Sequence, residues 1–77
     1  MNEIKAMSVL MGTDGGKVEN FVKTVINLAV DQGVAVAEFA AALASIAFFA
    51  DGVADKCKTM EEFREKLEQS GVANFGD

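Results

Sequence analysis

The chain has no histidine, proline, tryptophan or tyrosine, and its only cysteine is Cys57. Each absence removes a class of chemistry. Without histidine, acid–base catalysis falls to carboxylates and lysines, and the Cys57 thiol has no imidazole to activate it. A lone cysteine allows no internal disulfide. With no histidine beside it, no ligand set for structural zinc exists either. The absence of proline leaves helices unbroken and favours an α protein over a loop-rich one. Positive charge is also scarce. Lys5, Lys17, Lys23, Lys56, Lys58, Arg64 and Lys66 are scattered and outnumbered by twelve acidic residues, for a net charge of −5. Phosphate backbones are held by clustered cations, so the expectation is no nucleic-acid partner. The longest apolar run, Val34 to Ala50, is interrupted by Glu38. It falls short of the roughly 20 apolar residues of a membrane span. The opening Met1-Asn2-Glu3-Ile4-Lys5 lacks the basic-then-apolar order of a signal peptide. Together with the unpaired thiol, this predicts a cytoplasmic location.

What is present is apolar residues in helical rhythm. The expected fold is all-α, a small four-helix domain over residues 1–77. A short N-terminal helix, about 2–11, carries Ile4, Met7 and Leu10 at three- and four-residue spacing, with Gly12 as its stop. Thr13 or Asp14 caps a second helix, 16–32, in which Val18, Phe21, Val22, Val25, Ile26, Leu28 and Ala29 share one arc. Gly33 suits its left-handed C-terminal position. The third segment keeps one phase through Asp51-Gly52: Phe39, Leu43, Ile46, Ala50, Val53 and Cys57 fall on one face. That phase favours a single long helix, 35–58, straight or bent at Gly52, over a stop at Asp51-Gly52, with Lys56 and Lys58 at its negative end. Phe21, Val25, Phe39, Leu43 and Ile46 are the expected core. Thr59-Met60-Glu61-Glu62 reads as a capping box opening a helix over 60–70. Gly71 then brings Leu67 and Val72 into the hydrophobic contact that closes many helices. Residues 73–77 are expected to fray.

Four motifs invite a chemical reading, and each has a plainer one. Gly12-Thr13-Asp14-Gly15-Gly16-Lys17 hints at a phosphate loop, but Met11 and Val18 stand where that motif needs glycine and Ser or Thr. What survives is an anion resting on N–H groups at Thr13, Gly15, Gly16 and Lys17 before the second helix. Cys57 falls in phase with apolar residues, so it reads as a small hydrophobe rather than a nucleophile. Glu61, Glu62, Glu65 and Glu68 read as a solvated face that suits the helix dipole. The cadence after Gly33 suggests helix-turn-helix, but the helix offers alanines where base edges require Arg, Lys, Asn or Gln.

The most informative pattern is on the third helix. Ala37, Ala41, Ala44 and Phe48 lie opposite the Phe39/Leu43/Ile46 face, where solvent would favour charged residues. A chain this short, without disulfide or metal, has little stability of its own, and oligomerisation is a usual remedy. The sequence therefore predicts no enzyme and no cofactor. It predicts a regulator or inhibitor that self-associates, most simply as a dimer, or occludes a protein partner through Ala37, Ala41, Ala44 and Phe48. In general character, though in no motif, this is similar to small phage-encoded inhibitors of host machinery. Two alternatives come from other classes. One is an oligomer that sequesters a nucleotide or other anion; the other is a small membrane-associated helical protein.

Overall fold

The computed structural model describes residues 2–76. Among them are helices and no strand: α1 Glu3–Leu10, α2 Gly15–Asp31, α3 Val36–Ala50, a 3₁₀ turn Ala54–Lys56, and α4 Met60–Gln69. The chain is all-α, as its periodicity predicts. Its contacts gather into two units, Met1–Val36 and Ala37–Asp77.

The first unit is a corner between α1 and α2. Asn2 caps α1, its side-chain oxygen accepting from the Lys5 N–H at 2.8 Å. At the other end the Ser8 carbonyl accepts from both the backbone N–H (2.9 Å) and the hydroxyl (2.7 Å) of Thr13. Asp14 then caps α2 by accepting from the Lys17 N–H at 3.1 Å. Only three residues separate a helix-ending glycine, Gly12, from the helical Gly16, so the two helices must pass closely. They do so at Gly15, which is buried. A Cβ there would stand 2.8 Å from the Lys5 carbonyl oxygen and 3.1 Å from Val9 Cγ2. Along α2 the shielded stripe is Val18, Val22, Val25 and Ala29. It is narrower than the predicted arc, and Phe21 is a correction: expected in the core, it is 67% exposed. An eight-residue α1 is too short to cover a broad face of α2. Helix α2 closes through N–H groups of Gly33 and Val34 on the carbonyls of Val30 and Ala29, at 3.1 and 2.9 Å.

The second unit corrects the expected long helix. Helix α3 stops at Ala50, and Gly52 has φ +80°, a left-handed conformation. The predicted continuity through 58 therefore fails, and Lys56 and Lys58 do not end α3. The physical reason is local. A helix-interior glycine costs about 1 kcal/mol, whereas the left-handed region costs glycine almost nothing. The phase survives the break because periodicity records which side chains are shielded. Val53 and Cys57 are still half-buried, though one lies in a turn and the other in extended backbone. Helix α4 matches its capping box at Thr59, whose hydroxyl accepts from the Glu62 N–H at 3.1 Å. The return bond from the Glu62 carboxylate reaches one residue further, to the Lys58 N–H at 3.4 Å. Its end is the expected one: Val72 N–H donates to the Leu67 carbonyl and Gly71 N–H to that of Glu68, both at 3.0 Å. Leu67 is the buried hydrophobe of the unit at 6% exposure, and Val72 is half-buried. Of the expected frayed tail, 73–76 carries no helix and Asp77 lies outside the described residues.

Candidate interaction surface

Helix α3 reads VAEFAAALASIAFFA, in which Glu38 and Ser45 are the only polar residues. Such a helix is ordinarily covered on all sides, because apolar area left in water forfeits about 25 cal/mol per Å². Here its own unit leaves most of it open. Ala37, Ala41 and Ala44 are exposed, and Phe48 is 75% exposed. These four predicted contact residues share one stripe, since their spacing follows the helical repeat. Phe48 is held by Phe49, which meets it edge to face with ring centroids 5.1 Å apart at 85°. That geometry suits the ring quadrupoles and limits the rotamers of both side chains.

The opposite face is where expectation and structure part. Phe39 and Ala50 are half-buried, but Leu43 and Ile46, predicted as core, are each 53% exposed. Nothing in the periodicity separates the ends of this line from its middle. All four positions are in phase, and only the placement of the rest of the unit decides which are covered.

The residues of the expected anion contact lie at the turn into α2. The Thr13 hydroxyl donates to the Ser8 carbonyl, and Gly15 is buried against α1. The Asp14 carboxylate already sits on the Lys17 N–H. This helix start thus carries its own anion, and like charge repels a second. Cys57 is free and half-buried. It lines an open hollow with Thr59, Met60 and Phe63 and has no histidine near it, as the chain contains none. Among the described residues, no three His, Cys, Asp or Glu side chains are grouped to hold a metal ion. Among the same residues, no helix is long and apolar enough to cross a membrane. Compared with protein-family models, with curated proteins and with solved structures, the chain matches none of them.

Proposed function

We propose that this chain is a non-enzymatic protein-contact module, a small regulator or inhibitor that works by laying α3 against another protein surface. One observation supports this reading above the rest: α3 is apolar nearly all round, yet its Ala37, Ala41, Ala44 and Phe48 face is exposed and Leu43 and Ile46 are each 53% exposed. Small side chains at Ala37, Ala41 and Ala44 let a partner backbone come close, and Phe48 supplies the aromatic anchor found at interface centres. The membrane-surface alternative is weaker. Helices that lie in the lipid interface carry Lys or Arg on a polar face, and α3 has neither. Anion sequestration is weaker too, because the Asp14 carboxylate occupies the helix start that would hold the anion.

The test is Ala44→Glu, which places a carboxylate in the middle of the stripe. Binding would be compared by quantitative capture from the source organism's lysate, with circular dichroism to check folding. A protein retained by the wild type and lost by the folded variant supports the reading. An identical set retained by both overturns it.

A further inference from the structure

We propose that Asp51 is a modification site, where the main chain reroutes through the aspartate side chain to an isoaspartyl link, and that the fold shields Asp14 from the same reaction. The proposal is independent of what α3 contacts.

The chemistry begins in the sequence. The chain has two Asp-Gly pairs, Asp14-Gly15 and Asp51-Gly52. In such a pair the glycine nitrogen can attack the carboxyl carbon of the aspartate side chain, because the attacking residue has no Cβ to obstruct it. The N–Cγ bond forms and a Cγ–O bond breaks. The hydroxyl of the neutral carboxyl leaves with the amide proton as water, and a cyclic imide remains. Water then adds to one of the two imide carbonyls. Addition at Cγ restores aspartate. Addition at the main-chain carbon leaves the chain running through Cγ, with a free α-carboxylate. The reaction needs no oxidant and no co-reactant but water. Asp31 and Asp55 precede Gln32 and Lys56, whose side chains crowd the nitrogen.

The structure separates the two pairs. Closing the imide requires the shared peptide plane to turn until its nitrogen faces Cγ. At Asp14 both reacting parts are tied. The carboxylate accepts from the Lys17 N–H at 3.1 Å, and the main-chain carbonyl accepts from the Val18 N–H at 3.0 Å. Gly15 is buried against α1, where a Cβ would stand 2.8 Å from the Lys5 carbonyl oxygen. Turning that plane would break the cap and unseat α2 from α1.

Nothing comparable holds Asp51. It and Gly52 are exposed, and a Cβ on Gly52 would meet no atom within 4 Å. Among the described residues, no hydrogen bond or ion pair fixes the Asp51 carboxylate. The left-handed glycines Gly12, Gly33 and Gly71 donate their N–H groups to the carbonyls of Val9, Val30 and Glu68. Gly52 is left-handed too, but among the described residues its N–H has no backbone acceptor, and the Asp51 carbonyl has no backbone donor. The peptide plane is therefore free to turn. The pair lines an open hollow beside Phe48 and Asp55, which admits water for the second step. The product adds a methylene to the main chain where α3 ends. The turn there is closed across Asp51 by the Val53 N–H on the Ala50 carbonyl at 3.0 Å, and the longer chain would open it.

The experiment holds the full chain at neutral pH and physiological temperature, folded and, in parallel, unfolded in guanidinium chloride. Peptide mapping with electron-transfer fragmentation reads isoaspartate at each site, and enzymatic carboxyl methylation reads the total. In the folded chain, isoaspartate should build up at 51 ahead of 14. Unfolding should speed the reaction at 14 at least about fivefold, the factor that losing one N-cap corresponds to, and so narrow the gap. Asp51→Glu, which would have to close a larger ring, should remove most of the methylation signal from the folded chain. Equal build-up at both sites in the folded chain, or none at 51, overturns the proposal. So does a lead of 51 that persists unchanged in the denaturant, because sequence rather than fold would then set it.

Discussion

In the first unit α1 and α2 approach until only a glycine fits between them. In the second, a helix far more apolar than either leaves its large side chains in water. The difference does not follow hydrophobicity, because α3 is the most apolar of the four helices. It follows chain connectivity. A four-residue link, Met11 to Asp14, with an αL glycine folds α1 back onto α2 at once, so the contact is local and its loop closure costs little. Helix α3 has no comparably placed neighbour in its unit, and α4 offers one narrow apolar stripe, Met60, Phe63 and Leu67. Within that stripe only Leu67 is fully covered, while Met60 is 75% exposed. Close approach thus comes from geometry in one unit, and in the other apolarity is left for something outside the unit to cover.

Three substitutions would break or sharpen this contrast. The largest effect is expected from Leu67→Ala. Removing the buried hydrophobe of the second unit should cost about 2–5 kcal/mol, enough to lose α4 helicity by circular dichroism. A wild-type-like denaturation curve would show that the unit does not depend on that side chain. Next is Gly15→Ala. In an open helix this exchange would be neutral or favourable, but here the new Cβ meets the Lys5 carbonyl, which is backbone and cannot swing away. We expect a loss of about 1–3 kcal/mol, with faster amide exchange in α1 and α2 and none added in α4. Equal acceleration in both units would mean that they do not fold independently of each other's packing.

The smallest effect is expected from Gly52→Ala. No atom lies within 4 Å of the added Cβ, so the only penalty is the left-handed backbone. That amounts to about 1 kcal/mol, visible as a lowered midpoint in urea. Unchanged or raised stability would mean that α3 can run on through Gly52 after all, as the apolar phase of Val53 and Cys57 suggests.

Helix starts and stops were legible because their signals are local. Asp14 and Thr59 as caps, Gly33 and Gly71 as left-handed terminators, and the Leu67–Val72 closure each depend on residues within one turn. At Gly52 two local signals conflict, a hydrophobic phase that runs on and an Asp-Gly pair that favours a turn, and the turn prevails. Gly15 stands out in the sequence only within the glycine-rich run 12–17, and its role, letting the Lys5 carbonyl come within contact, involves a residue ten positions away that no window of helical periodicity includes. The proposed contact stripe Ala37, Ala41, Ala44 and Phe48 is visible as a breach of amphipathic pattern, and the structure leaves all four exposed.

The sequence by itself determined that this chain is helical, where most of its helices begin and end, and which side chains share a face. These follow from backbone hydrogen bonding and the 3.6-residue repeat, which act over a few residues. Only the tertiary structure decided which faces are covered. Val25 and Leu43 are equally good core candidates by pattern, yet one is shielded and the other is not. Shielding needs a second element at contact distance, and whether one arrives there depends on the turns at Gly12 and Gly52 and on the short reach of the segments beyond them.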